Sequence, residues 1–197
     1  ARSTDDLDFP SGWPVLEGRM GWKIGQRNGP CARPIVFGIS AHIGEERYNF
    51  DMGGGDREDV SRRTWSLNVD LKCPITERLT LRGEIFTGEN LSSYLGGIFQ
   101  GIDPGTRDTI RSKGGWIDLE YRWTDCCRSY FGYAVDDPFD QDMTTGRTLN
   151  QYYFANLIYN VTKQFEVGMD VSILKTLYYT GPDANATRLQ MMMRYRF

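Results

Sequence analysis

Residues 188–197 read RLQMMMRYRF, and taken alternately they sort onto two surfaces. Leu189, Met191, Met193, Tyr195 and Phe197 share one side, and Arg188, Gln190, Met192, Arg194 and Arg196 share the other. A period of two belongs to a β-strand, because successive side chains of extended backbone point to opposite faces. One face is apolar and ends in two aromatics, while the other carries three guanidinium groups that need water or carboxylate partners. A soluble sandwich uses such a strand, and so does a membrane barrel with a wet interior.

The same alternation recurs eight more times upstream, each time for about ten residues. LEGRMGWK (16–23) sets Leu16, Met20 and Trp22 against Glu17, Arg19 and Lys23. IVFGISAHIG (35–44) and WSLNVDLK (65–72) follow, with Ser40 and His42, then Asn68, Asp70 and Lys72, on the polar side. Leu79, Leu81 and Ile85 oppose Arg78, Arg82 and Glu84, and in WIDLEYRW (116–123) Ile117, Leu119, Tyr121 and Trp123 oppose Asp118, Glu120 and Arg122. Phe131, Tyr133 and Val135 oppose Arg128, Gly132 and Asp136. The remaining two segments set Tyr153, Ala155, Leu157, Tyr159 and Val161 against Tyr152, Asn156 and Asn160, and Val167, Met169, Val171 and Ile173 against Glu166, Asp170 and Ser172.

Connection lengths separate the two architectures. CPITER (73–78), TDCCR (124–128) and NVTKQ (160–164) are tight turns, whereas residues 45–62, 88–113, 137–148 and 178–186 form long connections rich in Gly, Asp, Asn and Thr. Short and long connections alternate, the intermediate GQRNGPCARP (25–34) standing in a short-turn position. Outer-membrane barrels keep short turns on the periplasmic side and long loops outside, and their strands cross in about 9–11 residues. An all-β, antiparallel transmembrane β-barrel is therefore expected over residues 1–197, its last strand running down to the periplasmic rim. Phe197, Tyr195, Tyr159 and Trp123 then gather near one interface as an aromatic girdle.

Composition agrees. No stretch approaches the roughly 18 apolar residues of a spanning helix, and the mean hydropathy is negative, as strands with one wet face require. With 23 basic and 26 acidic residues the net charge is −3, so no basic block serves nucleic acid. ARSTDDLDFPSGWP (1–14) has neither the basic flank nor the apolar core of a signal peptide, so any leader is expected to be gone already. Cys31, Cys73, Cys126 and Cys127 show no metal or haem spacing. On the barrel topology Cys31 and Cys73 meet at the periplasmic rim of adjacent strands, where a disulfide is expected, and neighbouring Cys126 and Cys127 have no assigned role. NVT (160–162) and NAT (185–187) match the glycosylation pattern, a three-residue match short enough to be expected by chance.

With MRYRF (193–197), LRGEIFTGENLSSYLGGIFQGI (81–102) and the segments GYAVDDP (132–138) and GRTLNQYYFANLIYN (146–160) in hand, the chain resembles the C-terminal part of a bacterial outer-membrane porin of the large, trimeric DcaP-like kind. The resemblance implies an outer-membrane location in a bacterial cell, a homotrimer surrounded by lipid and lipopolysaccharide, and an assembly signal of Met193, Tyr195 and Phe197 read by the barrel-assembly machinery. It brings no catalytic residues and no cofactor. Nine segments is an odd count where such barrels have an even one, so further upstream strands are expected.

The candidate pore lining is Arg78, Arg82, Glu84, Asp118, Glu120, Arg122, Arg128, Asp170, Arg188 and Arg194, a mixed-charge wall that steers hydrated solutes. Leu91, Tyr94, Leu95, Ile98 and Phe99 recur at helical spacing behind a cap at Asn90, and predict a short helix folded into the lumen as a constriction. Asp136, Asp137, Asp140 and Asp142 lack the Gly and distal Glu of a calcium loop, and His42 has no nucleophile motif beside it, so neither a metal site nor an enzyme is expected. The expected function is passive diffusion of small hydrophilic solutes. The alternatives are a plugged structural or adhesive barrel acting through its loops, and a soluble β-sandwich binding module.

Overall fold

The computed structural model describes residues 13–25, 33–53 and 56–197. Among these, nine strands form one sheet in sequence order: β1 (Leu16–Ile24), β2 (Ile35–Gly53), β3 (Asp56–Pro74), β4 (Leu79–Glu89), β5 (Arg111–Arg122), β6 (Cys127–Pro138), β7 (Arg147–Asn160), β8 (Phe165–Tyr178) and β9 (Ala184–Tyr195). Every neighbouring pair is antiparallel. β1 and β9 are the two edges, so the described sheet is open, and no second sheet covers it among the described residues.

Three short turns share one device. Thr76, Thr124 and Thr162 each turn a hydroxyl oxygen back on the chain, where it accepts from the amides two and three residues ahead. The donors are Arg78 and Leu79, Cys126 and Cys127, and Gln164 and Phe165. A threonine that satisfies two turn amides locally lets the next strand start within four residues. The connections at the other end, residues 90–110, 139–146 and 179–183, are longer.

The polar face of the sheet is the sheltered one. Thr64, Thr80, Ser112, Asp118, Glu120, Glu166 and Ser172 are buried, while Ile85, Ile117, Leu119, Phe131, Leu157, Met169 and Met191 are exposed. The only fully buried hydrophobics among the described residues are Leu91, Ile98, Ile110 and Met143, none of them on the apolar face of the sheet. Each large apolar side chain left in water forgoes about 1.5–3 kcal/mol of burial. A surface studded with them is stable only against lipid or another apolar surface, and among the described residues no second sheet supplies the covered core that a soluble sandwich requires.

Two expectations are corrected. Residues 45–62 do not form a loop: β2 and β3 continue beyond their outer neighbours, from Gly44↔Thr64 to Gly53↔Asp56, as a two-stranded ribbon of roughly 30 Å. One face of this ribbon carries Tyr48, Phe50 and Val60 and the other is polar, and its charged partners are complementary, as in Glu45↔Arg63 and Glu46↔Arg62. Arg78 belongs to the turn before β4 and is exposed there, rather than standing on the wall. Cys73, Cys126 and Cys127 are free thiols, and Cys31, with the bridge expected of it, lies outside the described residues.

Candidate pore lining and inward loop

Register places most of the expected lining on the polar face. Arg82 grips Asp118 with two parallel hydrogen bonds of 2.9 and 2.8 Å, and its guanidinium lies 4.5 Å from the centre of the Tyr130 ring. The planar fork of arginine matches a carboxylate in this way and leaves its face for the ring. Arg122 holds Glu120 at 2.8 Å. Glu166 collects three guanidiniums, those of Arg128 and Arg196 at 3.3 and 3.2 Å and that of Arg194. Arg188 donates to the Tyr152 hydroxyl at 2.7 Å. Glu84 and Asp170 stand on the same face, opposite Asp70 and Asn156 respectively, and form no ion pair with the described residues.

Sequence reading placed Tyr152 on this face and passed over its other aromatics. Phe86, Trp116, Tyr130, Tyr152 and Phe154 share parity with the charged residues, a signal that was present but carried no charge to draw attention. Two of the rings lie over glycines. A Cβ at Gly114 would come within 2.7 Å of Phe86, and one at Gly132 within 2.3 Å of Phe154, so any side chain there would lift the ring off the wall.

Residues 90–110 turn back onto this polar face. Tyr94 stacks on His42 with ring centres 3.9 Å apart, Ile98 N–H donates to Asp136 at 2.9 Å, and Gly96 approaches Phe86. The expected helix is absent. The segment makes two 3-10 turns, Ser92–Tyr94 and Gly97–Phe99, with positive φ at Asn90, Leu95, Ile98 and Phe99. Gly96, Gly97 and Gly101 remove the propensity that would carry a helix through, and Asn90 is a left-handed corner rather than a cap. Leu91 and Ile98 are buried beneath the turns, whereas Leu95 and Phe99 are 74% and 49% exposed and Tyr94 is 37% exposed.

Hydrogen-bond bookkeeping fixes His42. Thr64 donates its hydroxyl proton to the Asn90 carbonyl at 2.9 Å, so its oxygen accepts from His42 Nε2–H at 3.0 Å. The Asn68 amide donates to Ser66 Oγ at 3.1 Å, and Ser66 Oγ lies 2.7 Å from His42 Nδ1. Nε2 therefore carries a proton, and the ring, held by hydroxyls on both nitrogens, anchors the root of the loop.

The far side of the loop is tied down at Asp103. Its fully buried carboxylate accepts from the amides of Gly105, Thr106 and Thr144 and from the Thr144 hydroxyl, at 2.7–3.0 Å. Gln100 pairs with both backbone groups of Arg147, and Arg107 reaches Glu58 on the ribbon at 2.7 Å. Burial alone would raise the Asp103 pKa, but the donors from Thr144, Thr106 and Gly105 outweigh it and hold the carboxyl below its ordinary value. The latch is therefore complete above the ordinary aspartate pKa of about 4 and is lost as pH falls through the lower folded value. Asp103→Asn is expected to loosen the loop by about 1.5–3 kcal/mol, the worth of a hydrogen bond to a charged group. Faster amide exchange at Gly105 and Thr106 would report this at neutral pH, and unchanged exchange would dismiss the latch.

An open, all-antiparallel sheet with a sheltered polar face and an exposed apolar one has the form of an outer-membrane channel wall. Among solved structures the chain is similar to the outer membrane channel DcaP of Acinetobacter baumannii, with a TM-score of 0.75 at 13% identity over 95% of this chain. The match takes in 53% of that channel, so this chain spans about half its length. At that identity the likeness is one of fold. No protein-family model matches the chain, and neither does any curated protein.

Proposed function

We propose that the chain forms part of the wall of a bacterial outer-membrane porin, a passive channel for small hydrophilic solutes. The supporting observation is the inverted sheet, with Asp118, Glu120 and Glu166 sheltered and Leu119, Phe131 and Met191 exposed. Hydrocarbon accepts the apolar face, and a hydrated lumen accepts the paired charges. Open sheet edges are not tolerated in lipid, so in this reading further strands join β1 to β9. Its partners are lipid and lipopolysaccharide around the apolar face, two further copies in a trimer, and the barrel-assembly machinery at Met193, Tyr195 and Phe197. Transport in this reading needs no catalytic group and no cofactor.

The test is conductance of the full-length protein in planar bilayers. Arg82→Glu and Arg122→Glu are expected to shift reversal potentials towards cation selectivity, since each adds a carboxylate beside Asp118 or Glu120. Leu119→Val on the lipid side is expected to leave selectivity unchanged. An intact protein that carries no current would favour the plugged structural barrel.

A further inference from the structure

Building on the channel reading, we propose that the polar wall at β3 and β4 is a binding subsite for small zwitterionic solutes of dipeptide size. In this subsite Glu84 receives the ammonium end and Lys72 the carboxylate end.

The pairing of these strands sets like charge against like. Asp70 stands opposite Glu84, and Lys72 stands opposite Arg82. Directly opposed like charges destabilise an antiparallel pair, and exchanging Lys72 with Asp70 would turn both into attractive pairs. The arrangement instead separates charge along the strands. Neighbours then neutralise one member of each row. Arg19 on β1 holds Asp70 at 2.6 Å, and Asp118 on β5 holds Arg82 at 2.8 Å. Glu84 and Lys72 are left without an ion pair or hydrogen bond to the described residues.

Each faces its own hollow. Glu84 borders one of about 490 Å³ with Glu17, Arg19, His42 and Tyr94, where the lone guanidinium already serves Asp70. Lys72 borders one of about 380 Å³ with Arg82, Arg122, Arg128, Glu120, Asp125 and Tyr130, where four cations face two carboxylates. With the guanidiniums serving Asp118, Glu120 and Glu166, Lys72 is the cation there left without an ion pair to the described residues. An acidic hollow under Tyr94 thus adjoins a basic one nearer the turns. Arg82 and Glu84 are two residues apart on β4, about 7 Å, and Lys72 and Glu84 are diagonal neighbours about 7–8 Å apart. An extended dipeptide separates its terminal charges by about 7 Å. A singly charged solute meets one attractive hollow and one repulsive one, whereas a dipeptide zwitterion satisfies both.

The experiment compares three related probes on the full-length protein in planar bilayers: glycylglycine, its N-acetyl derivative, which is an anion, and its amide, which is a cation. Glycylglycine is expected to block the open-channel current at the lowest concentration. Glu84→Gln should weaken its block about tenfold, the lower range for a hydrogen bond to a charged group, and leave the acetylated anion as the better blocker. Lys72→Gln should do the converse and favour the amide. The double exchange Glu84→Lys with Lys72→Glu should retain the preference for glycylglycine, because a zwitterion can enter reversed. Conduction with the acetylated anion blocking at least as well as glycylglycine in the unaltered protein would overturn the subsite and leave the channel standing. Equal weakening of all three probes by both single changes would do the same. Absence of current in plain salt would overturn the channel reading and the subsite with it.

Discussion

Leu119→Arg is expected to cost about 2–4 kcal/mol of folding free energy in a bilayer, the penalty for arginine facing hydrocarbon near the midplane. Leu119 lies three residues before the end of β5, opposite Leu81 on one side and Phe131 on the other, and is 40% exposed. Were that exposure to water, the same substitution would fall within about ±0.5 kcal/mol, as surface changes do. The size of the effect therefore identifies the solvent of this face. Ala41, Val69, Leu81 and Leu157 have the same parity and should respond alike. Asn156→Arg, on the polar face opposite Asp170, gains a carboxylate neighbour and should be tolerated, as should Arg at Ser40 and Asn68. Refolding titrations into lipid vesicles measure the difference, and equal costs on both faces would mean that the apolar face does not meet lipid.

Deleting residues 91–102 is expected to raise single-channel conductance, because the narrowest cross-section dominates the resistance of a pore. The segment lies on the polar face between His42 and Asp136, and carries exposed Leu95 and Phe99. Its removal discards the buried Leu91 and Ile98 but leaves every pair of the sheet in place. The wall should therefore survive while the obstruction goes. Unchanged conductance in a correctly folded deletion would leave the channel standing and remove this segment as its constriction.

Much of the wall was legible in the sequence because strand parity is a local property. Leu189 to Phe197 and Ile117 to Trp123 alternate whatever lies beside them, and Thr76, Thr124 and Thr162 close their turns with bonds to amides within three residues. Such features need no distant partner. The ribbon of β2 and β3 escaped notice because its Gly and Asp content reads as a loop, although Tyr48, Phe50 and Val60 share one face, and its charge pairing of Glu45 with Arg63 and Glu46 with Arg62 joins residues on different strands. The inward segment was misread for a related reason. Its apolar spacing suits a helix, but glycine content and contacts to His42, Phe86 and Asp136 select two 3-10 turns with left-handed corners.

The sequence by itself determined the all-β architecture, two chemically distinct faces and the ends at which turns are tight, since each follows from extended-backbone geometry over a few residues. Only the tertiary structure decided that the polar face is the sheltered one, because alternation is the same for a sheet and its mirror assignment. It also decided which charges meet. Glu166 gathers Arg128, Arg194 and Arg196 from two other strands and the C-terminal end, and Asp70 finds Arg19 while Glu84 opposite it finds no ion-pair partner among the described residues. Those neighbours are set by the register of strands far apart in the chain, and a one-residue slip would reassign every one of them.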